Sequence, residues 1–156
     1  MYRNIVLFLA ALLLALTAGR AFWVWLGESP FDMSGATYVE LFQQLDKRIA
    51  VPIAITGIGG TLAAGLAALA HLRNRLTFSL LAAAFVLGLL ASVVTTTVNV
   101  PINETVATWN PGALPDGYED VLRRWWEWHH VRVVVLFLAM CAVFAAMLVR
   151  PVEPVQ

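Results

Sequence analysis

The sequence predicts an all-α protein, an integral membrane four-helix bundle with a short amphipathic helix in the first outer loop. Three observations carry that expectation. Of its 156 residues, 60% are hydrophobic and 13% charged, against roughly 45–50% apolar and about 25% charged in ordinary soluble domains. The mean hydropathy is +0.77. Four apolar runs, Ile5–Leu26, Ile49–Leu72, Leu76–Val98 and Val131–Val149, approach or exceed the length of about 20 residues that a membrane-crossing helix needs. A chain of this length predicts one membrane domain over residues 1–156.

The first run has a basic start at Arg3 and small residues near Ala18, as a signal peptide would. Its apolar stretch resumes after Arg20 with "AFWVWL", too long for a signal core of about 7–15 residues, so a retained helix is expected. The next segment opens with turn residues in "GESPFDMSG". It continues with Tyr38, Leu41, Phe42, Leu45 and Ile49 at helical spacing, and Ser34 is placed to cap that short helix. Pro52 falls early in the second run, where a helix start or a kink tolerates it. Gly57, Gly60, Ala64 and Ala68 form a small-xxx-small stripe that permits close backbone approach in lipid. Packing inside the bundle is one use of that stripe, and an oligomer through the Gly57/Gly60/Ala64 face is the other.

The third run ends "VVTTTVNVPIN". Thr95, Asn99 and Asn103 recur at intervals of four, the first two sharing a helix face, and Pro101 is expected to bend or end the helix. "WNPGALPDG" reads as turns. A further helix is expected from near Glu119, leading into the fourth run.

Charge placement sets the orientation. Arg3, Arg73, Arg75 and Arg150 fall at the N-terminus, the second connection and the C-terminus. These lie on one side of a four-span chain, and basic flanks mark the cytoplasmic side. Lys47, Arg48, Arg123, Arg124 and Arg132 lie towards the other side. The expectation is an integral protein of a bacterial inner membrane with both termini cytoplasmic. The net charge is zero, which gives no reason to expect nucleic acid. The single cysteine, Cys141, lies in an apolar run and reads as an inert core thiol.

The richest stretch is "RRWWEWHHVR". On a helix Trp125, Trp128, His129 and Arg132 are at i, i+3, i+4 and i+7 and share a face, whereas Trp126, Glu127 and His130 point elsewhere. Indoles, an imidazole and a guanidinium make an apolar wall with hydrogen-bond donors at its base, suited to a flat aromatic ligand carrying an anionic oxygen. The competing reading is a belt of tryptophans and snorkelling arginines at headgroup level. Asn99 and Asn103 are carboxamides close to a membrane interior, which offers them no partners. They serve either as interhelical glue or as hydrogen-bonding groups for a ligand. "NVPIN" and "RWWEWHHVR" are expected to meet, with Asn99 or Asn103 in reach of His129, Arg132 or a shared ligand. Arg20 either snorkels or adds positive charge to the site, with Trp23 on its side. No metal site is expected: the chain has three histidines, His129 and His130 diverge by about 100° on a helix, and His71 belongs to the opposite side. No HExxH, CxxC or Gly-rich phosphate loop is present. A bis-histidine haem is disfavoured for the same reason, and a single axial histidine stays open.

These residues resemble the anthrone oxygenase family of small membrane proteins, also known as a domain of unknown function, DUF1772. The resemblance covers most of the chain. It rests on "NVPIN", on Trp109 in the loop that follows, and on Arg124, Trp125, His129 and Arg132 in an "RW…H..R" pattern. "FQQLDKRIAVP" is a weaker match: Gln43 and Pro52 fit, and Asp46 stands where asparagine is common. The resemblance implies oxidation of an acidic, activated carbon by O₂ with no metal, flavin or other cofactor, after a base has removed a proton. That chemistry asks for a base, a flat apolar pocket and donors for the anion. On this reading His129 is the base, and Arg132, Asn99 and Asn103 bind the oxyanion. Trp125, Trp128 and Trp109 form the wall, with Arg20 and Gln43 also touching substrate. The substrate would be a lipophilic anthrone-, phenol- or quinol-like molecule. The alternative is a non-catalytic membrane protein that binds a lipid, a quinone or a partner protein through the same pocket. A scaffold whose aromatics are only an interface belt is the third reading.

Overall fold

The computed structural model describes residues 2–149; Arg150, counted above for orientation, lies outside the described residues. Helix α1 spans Tyr2–Gly27 and α2 spans Gly35–Ala70. Helix α3, Arg75–Val94, passes through a π turn at Thr95–Asn99 into α4, Val100–Ala107, and α5 is Tyr118–Leu148. Four helical stretches are long and apolar enough to cross a membrane: α1, α2, α3 with α4, and α5. The chain is an all-helical integral membrane protein.

The helices form a ring in which α1 and α3 each pack against α2 and α5. Small residues set the spacing. A Cβ on Gly60 would lie 3.0 Å from the backbone nitrogen of Leu14, and one on Gly88 would collide with the hydroxyl of Thr61. Ala10, Leu14, Ala64, Ala67, Leu81, Ala84, Ala139 and Val143 close the core at one end. The stripe of Gly57, Gly60 and Ala64 is therefore occupied by α1, with Gly57 facing Thr17 and Ala64 fully buried. Packing inside the bundle is thus the use of that stripe seen within this chain. Large apolar residues such as Leu12, Ile55, Leu66, Leu90 and Leu138 point outwards, as a helix surface solvated by lipid requires.

Three expectations are corrected. The amphipathic helix of the first loop is not separate. It forms the opening turns of α2, which continues for 36 residues through Pro52, because a proline removes only one ladder bond and helical spacing persists on both sides of it. Ser34 caps this helix, its hydroxyl accepting from the Thr37 N–H at 3.2 Å. The third span does not end at Pro101. The Val100 N–H reaches back five residues to the Thr95 carbonyl, and Pro101 sits in the first turn of α4, where its missing N–H has no ladder partner to lose. Hydroxyls of Thr95, Thr96 and Thr97 donate to the carbonyls of Ala91, Ser92 and Val93, a back-bonding that favours bent helices. Cys141 is exposed, not a core thiol, because the buried stripe of α5 runs through Ala139 and Val143 and leaves position 141 on the outer face.

The connections 28–34 and 108–117 lie at the same end of the bundle. There Met33, Tyr38, Phe42, Ile102, Val106, Trp109, Leu114, Tyr118 and Leu122 pack into a small cluster. Helix α5 starts after Gly117, which adopts φ +77°, a conformation that a side chain disfavours.

Candidate functional site

A cavity of about 310 Å³ opens inside this end of the bundle. Its polar lining is Thr17, Arg20 and Glu28 in or near the end of α1, Tyr38, Asp46 and Thr61 on α2, Ser92, Thr95, Thr96 and Asn103 on the α3–α4 segment, and Trp125, His129 and Arg132 on α5. The remainder is largely aliphatic, with Val24, Leu45, Ile53 and Leu136 among it. Ala50, Ala54 and Ile58 of α2 and Thr96 and Val100 at the π turn line the cavity, and all five are exposed. The cavity therefore opens sideways between α2 and the π turn, at a level set by apolar helix surface.

Trp125 is the hub. Its indole Nε1 donates to Asn103 Oδ1 at 2.7 Å, and its carbonyl accepts from Asn99 Nδ2 at 3.3 Å. An indole N–H can only donate, so the Asn103 amide is oriented with its Nδ2 outward, and this donates to Asp46 Oδ1 at 2.9 Å. Phe42 meets the Trp125 ring edge-on at 5.6 Å between centroids. The two motifs thus meet, but at Trp125 rather than at His129 or Arg132.

His129 is fully buried and stacks on Trp125, with centroids 4.9 Å apart and planes 5° off parallel. Its Nδ1 lies 2.7 Å from Arg132 Nη2 and its Nε2 lies 3.0 Å from the Ala21 carbonyl. A guanidinium has no acceptor, so Nδ1 accepts and Nε2 carries the proton that is donated to Ala21. His129 is a neutral imidazole with both nitrogens engaged, tying α5 to α1. The lone pair that the expected role as base would use is held by Arg132 in this structure. Arg132 spends one donor on His129, and its Nε is buried without a partner among the described residues. Its other donors remain for a ligand in the cavity it lines.

The other expected site residues separate. Asn99 is fully buried in the π turn and does not line the cavity; its amide supports the Trp125 carbonyl, and its Oδ1 has no partner among the described residues. In this structure it links the π turn to α5 and stands off the cavity. Trp128 is 39% exposed. It sits about 60° around the helix from Trp125, on the side away from His129, so it leaves the wall and joins the outer surface. Trp109 packs in the loop cluster off the cavity. Gln43 Nε2 donates to the carbonyls of Val106 and Trp109, both at 2.9 Å, which clamps the end of α4 to α2. Neither Trp109 nor Gln43 lines the cavity. Arg20 does line it, paired with Glu28 through two contacts of 2.9 and 3.0 Å, while Trp23 is 65% exposed and faces outwards.

Glu28, Tyr38 and Asp46 are cavity residues that sequence reasoning missed. Tyr38, Phe42 and Asp46 are spaced by four along the amphipathic stretch. An aspartate on the apolar face of that stretch was the available signal. Glu28 follows Arg20 across the helix end and gave no pattern of its own. Among the described residues, no group of three or more His, Cys, Asp or Glu side chains converges as metal ligands would.

Comparison with curated proteins and with solved structures returns no match. A family model described as "Anthrone oxygenase" matches residues 40–142, a stretch that holds Asp46, the π turn, Asn103, Trp125, His129 and Arg132, and the chain belongs to the anthrone oxygenase family.

Proposed function

We propose that the protein is a membrane-embedded oxygenase that uses O₂ without a bound cofactor to oxidise a lipophilic ring compound of the anthrone, phenol or quinol type. The observation that carries this reading is that Trp125, Arg132 and Asn103 line the same apolar chamber. A flat substrate dissolved in the membrane enters between α2 and the π turn and lies among aliphatic side chains and aromatic rings. Arg132, braced by His129, presents the donors that hold a developing oxyanion. Such donors act strongly where water is scarce. Arg20 adds positive charge, moderated by Glu28. The loop end of the bundle is the outer face of a bacterial inner membrane in this reading, with the N- and C-termini in the cytoplasm.

The engaged state of His129 favours a second reading, in which the chamber binds a quinone or other lipid-soluble ligand without turning it over. O₂ consumption separates the two. Purified protein in lipid nanodiscs, given anthrone itself as probe, is expected to form anthraquinone with one O₂ consumed per quinone, well above the rate with heat-denatured protein. Saturable binding with no O₂ uptake would establish the binding reading instead.

A further inference from the structure

The His129 lone pair is held by Arg132, so a proton leaving the substrate needs another acceptor. Two carboxylates line the cavity, Glu28 and Asp46. Both Glu28 oxygens are engaged by the Arg20 guanidinium, at 2.9 and 3.0 Å, which leaves neither facing the cavity free of a partner. Asp46 is different. Its Oδ1 accepts from Asn103, and its Oδ2 has no partner among the described residues. The chain Trp125 to Asn103 to Asp46 fixes the orientation of that carboxylate through bonds of 2.7 and 2.9 Å. It ends on a neutral amide, so the acceptor is positioned without being neutralised by a cation.

From this geometry, and resting on the oxygenase reading above, we infer that Asp46 is the catalytic proton acceptor, with Asn103 and Trp125 as its positioning residues. Asp46 and Arg132 meet the substrate at different points. Arg132 follows Trp125 by seven residues, about 10 Å of helix rise, whereas Asp46 is held at Trp125 itself through Asn103. An acceptor and an oxyanion donor spaced along the stacked Trp125 and His129 rings suit a fused-ring ketone whose acidic CH₂ lies across the ring system from its carbonyl.

The chemistry closes. The Asp46 carboxylate takes one proton from the CH₂, and the electron pair delocalises onto the carbonyl oxygen facing Arg132. The anion transfers two electrons to O₂ as the carbon–oxygen bond forms, giving a peroxide anion. Asp46 returns its proton to that peroxide. The hydroperoxide then loses its remaining C–H proton and its terminal oxygen as water, the O–O bond breaking as the new carbonyl forms. In sum, CH₂ and O₂ give C=O and H₂O.

The test separates proton removal from oxidation. Anthrone is incubated with the nanodisc protein in D₂O without oxygen, and exchange of its CH₂ hydrogens is followed by mass spectrometry; quinone formation is measured separately in air. Asp46→Asn keeps the acceptor for Asn103 and so preserves the fold, which thermal unfolding verifies. The expected result is that D46N loses exchange and quinone formation together, by about 10²–10⁴-fold, while H130A, whose ring lies off the cavity, retains both. Asn103→Ala should reduce exchange partially, and D46E should restore part of what D46N loses. If D46N exchanges as wild type does, the assignment to Asp46 is overturned and the oxygenase reading stands. If wild type neither exchanges nor oxidises the probe, the oxygenase reading fails and takes the assignment with it.

Discussion

Trp125 carries both an apolar role and a directional one, and the two separate by substitution. Trp125→Phe keeps a ring against His129 and Phe42 but removes the N–H that orients Asn103. Loss of one such bond costs about 0.5–1.5 kcal/mol, so thermal unfolding should shift by a few degrees while turnover falls much further. A parallel loss of both in small measure would mean that the indole is only a packing residue. Arg132→Lys removes the planar fork and its grip on His129. Removal of one oxyanion donor costs about 10²–10³ in kcat, and this variant should show a loss of that order with a smaller change in KM. His130→Ala should leave turnover near wild type, because that ring faces Trp25 and Trp126 and donates or accepts only within its own helix. The pairing of Trp125, His129 and Arg132 was legible from spacing alone. The misplacement of Trp128 was not, since i+3 and i+4 neighbours diverge and only the packed partners decide which edge of the face is covered.

At the level of elements, the π turn decides where Asn103 points. One extra residue between α3 and α4 rotates everything beyond it by about 100° relative to an uninterrupted helix. Deleting Thr97 should restore regular helix, carry Asn103 away from Trp125 and Asp46, and abolish turnover while circular dichroism still reports a helical bundle. Retained activity would show that the π turn does not position the site. Sequence reasoning expected a bend or an end at Pro101, and the helix does not end there. The π turn and a restart with Pro101 in the first turn satisfy the same backbone constraint. The separate amphipathic helix failed for a related reason. Pro52 looked like a boundary, yet it removes a single bond within a helix whose apolar spacing persists through it. Asp46 went unweighed because it was read as a departure from a family pattern, not as a carboxylate on an apolar face.

The whole molecule is a ring of helices with a chamber at one end, and its orientation in the membrane has a direct consequence. In a Cys141→Ala background, cysteines introduced at Asn74 and Asp116 should label from opposite sides, Asn74 from the cytoplasm and Asp116 from outside. Labelling of both from one side would overturn the topology. The number and order of spanning helices were readable from apolar run lengths, because lipid forces backbone groups to pair within each segment. The chamber was not readable, because it depends on which small residues meet: Gly60 on Leu14 and Gly88 on Thr61 bring α2 against α1 and α3, and Gly88 and Thr61 themselves line the cavity. Access is the property on which the account depends most. Ala54 lies at the exposed edge of the cavity and makes none of its polar contacts. The decisive measurement is therefore O₂ uptake with anthrone by nanodisc-embedded wild type and Ala54→Trp, with thermal unfolding recorded for both. The account predicts wild-type turnover and its near-complete loss in A54W at unchanged stability, the indole filling the lateral opening. Equal turnover by a folded A54W would contradict the claim that substrate reaches and occupies this chamber.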